Sequence, residues 1–150
     1  MKLTIVLIYI LILFIGLKGF SQDIKIPKNT IYLVYKPNDG SLPHYRGKKF
    51  RNKHGLNFNL YKKEGLIYPN NEESDTMAIK NLKDYNITYL DDLDSLISKW
   101  REKTKPLLIE KYGNPYPNTT NKNNMFMTYI IEKFKTHFIK YRVYWRNQRP

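Results

Sequence analysis

The chain is 150 residues long and contains no Cys, and its 26 Lys and Arg residues against 13 Asp and Glu residues give a formal net charge of +13. The absence of Cys excludes a disulfide framework, a thiolate zinc site, an iron–sulfur cluster and a cysteine nucleophile. A chain of this length is expected to form one or at most two small domains, and its charge raises the question of an anionic partner.

The start of the chain has the pattern of a secretory signal peptide. A basic residue precedes an apolar run from Leu3 to Ile15 that is interrupted only by Thr4, and this run is shorter than the roughly 20 residues that a membrane-spanning helix needs. Small residues then favour cleavage between Ser21 and Gln22. We therefore expect residues 1–21 to be removed and the protein to be exported, as a periplasmic or secreted product. The alternative is an uncleaved membrane anchor.

The positive charge is unevenly distributed along the chain. Removal of the signal peptide takes away two lysines and lowers the net charge from +13 to +11. Residues 24–63 hold ten basic side chains and one acid, and residues 113–150 hold seven basic side chains and one acid, whereas the middle is mildly acidic. Lys greatly outnumbers Arg and Asn is abundant, which is also what the codon bias of an AT-rich genome produces. A role for the charge in binding therefore depends on whether the two basic regions share one surface.

The first half of the chain has the pattern of strands joined by turns. Residues 30–36 form an uninterrupted β-branched and aromatic run, which predicts a central strand buried on both faces and ended by a turn at residues 37–40. Residues 56–61 alternate between apolar and polar side chains and predict a half-buried strand. A hairpin turn is expected at residues 62–65, with the return strand at residues 66–68.

The middle of the chain changes to a helical pattern. Ser74 is a candidate N-cap for a helix whose apolar stripe extends to Tyr85. Over residues 93–100 the apolar side chains recur at spacings of three and four, which predicts an amphipathic helix, with acids near its start and bases near its end. Pro106 is expected to break or kink this helix, and a last helical stretch is expected to end at Gly113.

The end of the chain adds a helix and a strand to this pattern. Asn123 or Asn124 is a candidate N-cap for a helix with an apolar face over residues 126–134. Residues 139–146 alternate strictly, which predicts a strand with one apolar face and one basic face. Strands, helices and a final strand together predict a single α+β domain over residues 22–150, with a mostly antiparallel sheet and two to four helices packed on one face.

Two groups of cations are candidate binding residues. Between His44 and His54 the cations are interleaved with Tyr45 and Phe50, a pattern that suits phosphate or a sulfated or carboxylated glycan. On the last strand, cations two residues apart point the same way about 7 Å from each other and would face one polyanion. Each group also has a simpler interpretation, as a solvated loop or as the wet face of a half-buried strand. The candidates are Arg46, Lys48, Lys49, Arg51, Lys140, Arg142 and Arg146.

Several short motifs that mark common enzyme classes are absent from the sequence. The three histidines, His44, His54 and His137, match no compact metal-binding spacing, and no phosphate-cradling or dinucleotide-binding loop occurs. We therefore expect no cofactor and no metal. The expected function is a non-catalytic binding module for an anionic partner of the cell envelope or the extracellular space, either an anionic polymer or an acidic protein. The alternative is an envelope hydrolase or an enzyme inhibitor, in which His44 or His54 acts with a nearby carboxylate.

Overall fold

The computed structural model describes residues 24–35, 48–60, 65–115, 117 and 121–146 of the chain. The seven strands are β1 (Asn29–Tyr35), β2 (Lys48–Asn52), β3 (Gly55–Asn59), β4 (Gly65–Pro69), β5 (Ser74–Ala78), β6 (Phe126–Lys133) and β7 (His137–Trp145). The helical elements in these ranges are the 3₁₀-helices Ile79–Asp84 and Leu90–Asp92, the α-helix α1 (Leu93–Tyr112) and the single-turn helix α2 (Lys122–Met125).

All seven strands join one mixed sheet. Its order is β1-β6-β7-β4-β3-β2, and β5 pairs with the first part of β7 while β4 pairs with the last part. β1 and β6 are parallel, with Asn29 opposite Phe126, whereas every other strand pair is antiparallel. β4 and β5 therefore act as one interrupted strand along a single edge of β7. The expected α+β class, with a mostly antiparallel sheet and helices packed on it, is confirmed.

The inner face of the sheet curls around the core. In the strand order three strands separate β1 from β3, yet the ring of Tyr35 lies 5.4 Å from that of Phe58, which in turn lies 5.6 Å from the ring of Tyr141 on β7. A flat sheet would hold β1 and β3 about 19 Å apart, so the sheet is strongly curled. The apolar side chains that the strands bury inside the curl are Ile31, Leu33, Tyr35, Leu56, Phe58, Leu66, Tyr68, Ile130, Tyr141, Val143 and Trp145.

Helix α1 packs against this core. It contributes Leu93, Trp100 and Leu108 to the cluster of buried apolar side chains. The helix continues through Pro106, and it ends where the sequence predicts, at Gly113. Gly113 has a φ of 65°, the left-handed conformation that Gly adopts with the least strain and that ends many helices.

β1 is an edge strand, and the prediction of a central strand is wrong. Its inward side chains are buried, but Tyr32 and Val34 on the opposite side are only half-buried. Along its outer edge the described residues provide a single bridge, between Tyr32 and Ile87, in which the backbone N–H of Thr88 donates to the carbonyl of Tyr32 at 2.8 Å. A strongly β-forming run is therefore compatible with an edge position when a short segment covers that edge.

Two segments for which the sequence predicts helices are strands. Residues 74–78 form β5, and the 3₁₀-helix Ile79–Asp84 follows in place of an α-helix. Residues 126–133 form β6 between β1 and β7, and the short helix before it is capped by Asn121, whose Oδ1 accepts a hydrogen bond from the backbone N–H of Asn123 at 3.0 Å. In both segments the neighbouring strands satisfy the backbone groups that a helix would satisfy internally.

The predicted strands at residues 56–61, 66–68 and 139–146 correspond to β3, β4 and β7. The predicted signal peptide over residues 1–21, its cleavage site, the turn at residues 37–40 and residues 62–64 of the predicted hairpin turn lie outside the described residues. None of the helices that the structure describes combines the length and the apolar character needed to cross a lipid bilayer.

Candidate functional site

The face of the sheet opposite the core carries tyrosines and cations. On this face the rings of Tyr32 and Tyr129 stack with their centroids 5.4 Å apart. Tyr85, which follows the first 3₁₀-helix, meets the Tyr32 ring edge-on at 4.9 Å. Two cations and a fourth tyrosine from β7 complete the group. We call it the tyrosine–cation surface, and it consists of Tyr32, Tyr85, Tyr129, Lys140, Arg142 and Tyr144.

Arg142 lies against two aromatic rings. The central carbon of its guanidinium is 5.8 Å from the ring centroid of Tyr129 and 5.6 Å from that of Tyr144. The Tyr144 hydroxyl donates a hydrogen bond to Glu72 Oε1 at 2.7 Å, which raises the pKa of Tyr144 and fixes the position of its ring. Because both rings are held in place, contact with them restricts the guanidinium to few rotamers.

Lys140 stands on the same face, but an acid balances its charge. Its Nζ lies 5.6 Å from the ring centroid of Tyr85 and 5.4 Å from that of Tyr129. The same ammonium forms an ion pair with Asp75 Oδ2 at 2.9 Å, and this hydrogen bond raises the pKa of Lys140. Asp75 is the residue opposite Lys140 in the pairing of β5 with β7. Lys140 therefore offers less uncompensated charge to a ligand than Arg142 does.

Arg146 and Lys48 extend this face toward the far edge of the sheet. The Arg146 backbone N–H donates to the carbonyl of Gly65 at 2.9 Å, and its guanidinium lies so close over Gly65 that a Cβ there would be 2.9 Å from it. The guanidinium also donates to the side chain of Asn59. Asn59 lies opposite both Gly65 and Lys48 in the strand register, and paired residues point to the same side of a sheet. The two basic regions of the sequence therefore meet on one face.

Lys49 and Arg51 point to the other side of β2. Lys49 forms an ion pair with the buried carboxylate of Glu132, and Arg51 donates a hydrogen bond to Asn70 Oδ1 at 2.8 Å. Of the seven candidate binding residues, the structure brings Lys48, Lys140, Arg142 and Arg146 to one face and directs Lys49 and Arg51 to the opposite one, and Arg46 lies outside the described residues.

Glu132 is a carboxylate at the centre of the inner face, with only 1% of its side chain exposed. It accepts hydrogen bonds from the Lys49 ammonium and from the Tyr141 hydroxyl, the latter at 2.9 Å. Burial and the hydrogen bond to Glu132 raise the pKa of Tyr141, and burial together with the charge of Glu132 raises the pKa of Tyr35. This polar network joins β2 to β6 and β7 across the curl. Its only signal in the sequence is that Glu132 is the single acid among the basic residues of 113–150.

The two described histidines belong to different parts of the sheet. His54 is exposed at the turn between β2 and β3. His137 begins β7, stacks on Phe134 with a centroid distance of 4.7 Å, and has its Nδ1 3.2 Å from Thr136 Oγ1. Within the ranges that the structure describes, no three His, Cys, Asp or Glu side chains are grouped so as to hold a metal ion. The third histidine, His44, lies outside those ranges.

Comparison of the chain with protein-family models, with curated protein sequences and with solved structures gives no match. The tyrosine–cation surface, extended by Arg146 and Lys48, is the part of the described molecule where residues of the two basic regions meet on one face.

Proposed function

We propose that this protein is a non-catalytic module that binds an anionic polymer of the cell envelope or the extracellular space through the tyrosine–cation surface and its extension. The observation that carries the proposal is the position of Arg142 against the rings of Tyr129 and Tyr144. A guanidinium that is held in this way loses little rotamer entropy when it binds, and its planar fork matches a carboxylate, sulfate or phosphate group.

The extent of the surface favours a polymer over a small anion. Arg142 and Arg146 are four residues apart, which corresponds to about 13 Å along an extended chain. Arg146 and Lys48 are separated by three strand spacings, about 14 Å across the sheet. One small anion cannot contact three cations at such distances, whereas consecutive charged groups of a polymer can. Each contact is weak by itself, so affinity depends on several being made together.

The acids on this face limit how many charges contribute. Asp75 balances Lys140, and Glu72 accepts the hydrogen bond from Tyr144 beside Arg142. We therefore assign most of the binding to Arg142, Arg146 and Lys48. We assign to Lys140 the role of filling the space above Tyr129 and Tyr85, which keeps those rings in place.

Heparin affinity chromatography in a salt gradient tests the proposal. The variant Arg142→Gln/Arg146→Gln removes two charges from the face, and Lys99→Gln/Lys103→Gln removes two exposed charges from helix α1. We expect the first variant to elute at clearly lower salt, and the slope of log affinity against log salt to fall by about two. The second variant should elute close to the wild type.

The proposal is wrong if both double variants weaken heparin binding equally, because the affinity then follows net charge and not a defined surface. Arg142→Lys gives an independent check, since it keeps the charge and loses the planar fork. We expect Arg142→Lys to elute between the wild type and Arg142→Gln. Elution of Arg142→Lys together with the wild type would show that the guanidinium geometry has no role.

We also propose that the protein reaches this partner by export, with residues 1–21 removed as a signal peptide. The support is the apolar run from Leu3 to Ile15 and the small residues before Gln22. Mass spectrometry of the protein from cells that produce it should find an N-terminus at Gln22. An intact N-terminus at Met1 in a membrane fraction would instead indicate an anchor.

A further inference from the structure

A cleft of about 170 Å³ lies between helix α1 and the segment that leads into β1. Trp100 and Leu108, each 2% exposed, close its floor, and the half-buried Ile26 forms part of its apolar wall. Tyr112, which is 50% exposed, lies at its rim. The Trp100 indole N–H donates to the carbonyl of Pro27 at 2.8 Å, so the polar edge of the indole at the floor of the cleft already has a partner.

The size of the cleft limits what it can hold. An enclosed apolar cavity of about 150 Å³ binds benzene. The cleft therefore has room for one aromatic ring or for a chain of a few carbon atoms, and it is too small for the side chains of a whole protein segment. Burial of apolar surface away from water is favourable, so such a group gains affinity from contact with Ile26 and Tyr112.

The charged residues around the cleft are basic. Lys28 and Lys111 line it, and the described residues that line it include no Asp or Glu. The Lys28 ammonium donates to the carbonyl of Asn123 at 2.7 Å, and the Lys111 ammonium donates to the carbonyl of Ile24 at 2.7 Å. An ammonium group has three donors, so the bond from Lys28 leaves donors for a ligand. Lys111 lies in the last turn of α1, where its charge offsets the negative end of the helix dipole.

We propose that this cleft is a second binding site, separate from the tyrosine–cation surface, for a small carboxylic acid with one aromatic ring or a short aliphatic chain. The apolar part of the ligand packs between Ile26 and Tyr112, over the floor that Trp100 and Leu108 form. Its carboxylate faces solvent at the rim and accepts a hydrogen bond from Lys28. The site recognises the combination of a compact apolar group with an adjacent negative charge, so a neutral analogue of the same shape binds less tightly.

Two-dimensional NMR of the protein as purified from cells that produce it tests this site. The probes are phenylacetate and the neutral phenylacetamide. We expect phenylacetate to shift the indole N–H signal of Trp100 and the amide signal of Gly113 saturably, with a Kd on the order of 1 mM. Phenylacetamide should shift the same signals and bind about threefold more weakly, as expected for the loss of one partly exposed charge contact.

Three variants separate the charge from the apolar lining. Lys28→Gln should weaken phenylacetate about threefold and leave phenylacetamide unchanged, whereas Lys25→Gln, which removes a neighbouring exposed charge outside the cleft, should change neither. Ile26→Trp fills the cleft and should abolish both sets of shifts.

Each of three results would overturn the proposal. If the NMR signals shift without saturating, or if the shifted signals belong to the tyrosine–cation surface, the probes do not bind in the cleft. Equal affinity for the two probes in the wild type removes the role of the carboxylate. Unchanged binding in Ile26→Trp shows that the cleft is not the site, and this variant is checked by its amide spectrum, which should otherwise resemble that of the wild type.

Discussion

The ion pair between Lys49 and Glu132 leads to an asymmetric prediction, because its two partners differ in their access to water. The Glu132 side chain is 1% exposed, whereas that of Lys49 is 32% exposed. If Lys49 becomes Met, the carboxylate stays buried and, among the described residues, keeps the hydrogen bond from Tyr141. If Glu132 becomes Gln, the ammonium can turn toward solvent, and the new amide oxygen can still accept from Tyr141. Removal of the cation should therefore cost more than removal of the acid.

The magnitudes follow from the difference in burial. Leaving a buried charge without its partner costs about 3 to 5 kcal/mol, and we take the lower value of about 3 kcal/mol for Lys49→Met because Tyr141 still stabilises the carboxylate. Glu132→Gln replaces a charged hydrogen bond with a neutral one, at a cost of about 1 kcal/mol. For a domain of this size, a loss of about 3 kcal/mol lowers Tm by roughly 10 °C.

Urea unfolding followed by Trp fluorescence measures these differences, with the double variant Lys49→Met/Glu132→Gln as the decisive protein. The double variant buries no charge, so it should be more stable than Lys49→Met alone although it carries one more substitution. If Lys49→Met and Glu132→Gln lose the same stability and the double variant loses the sum, the pair is no more than a surface contact. The assignment of Glu132 as an internal carboxylate would then be wrong.

Three further predictions concern single side chains. The pKa of Tyr141 is higher in the folded protein than in the unfolded chain, so the unfolded phenol ionises first and wild-type stability should fall as pH rises above about 10. In urea titrations across pH 8 to 11, Tyr141→Phe should make that fall shallower. Gly55→Ala places a Cβ 2.1 Å from the carbonyl oxygen of Tyr68 at a φ of 147°. It should therefore lower the free energy of unfolding by at least about 3 kcal/mol or abolish soluble expression. A variant as stable as the wild type would contradict the register of β3 with β4. Asn123→Ala removes two hydrogen bonds to the backbone of Trp145, at 2.7 and 2.8 Å. It should lower the free energy of unfolding by about 2 kcal/mol, which thermal unfolding would measure as a fall in Tm of several degrees.

The sequence predicts β7 and helix α1 well because each has one buried face with a regular period. It fails at β6 because that strand carries apolar or aromatic side chains on both faces. Ile130 and Ile131 are adjacent and both fully buried, which resembles the apolar face of a helix. The inward positions Thr128 and Glu132 are polar, so the alternation that marks a strand is hidden. The pattern of β6 follows from its place between two strands, which its own residues do not encode.

The sequence predicts only part of the tyrosine–cation surface and its extension. The strict alternation in residues 139–146 places Lys140 and Arg142 on one face without knowledge of the fold. Residues 48–52 have no such pattern, and their interpretation as a loop treats Lys48 and Lys49 as equivalent. In the structure these residues form strand β2, where adjacent side chains point to opposite faces. Arg146 and Lys48 share a face because of the strand order. That order pairs residues far apart in the chain, so the local sequence does not predict it.

The parallel pairing of β1 with β6 has a consequence for when the protein can fold. Asn29 pairs with Phe126, 97 positions later in the chain, and β6 and β7 occupy the middle of the strand order. Before these last strands are synthesised, β2, β3 and β4 can pair among themselves, but β1 and β5 lack their partners in the sheet. Contacts of such long range make folding slow. A growing chain therefore carries the apolar run of β1 without its partner strand until β6 has been synthesised, and the sheet is completed only after β7 has followed.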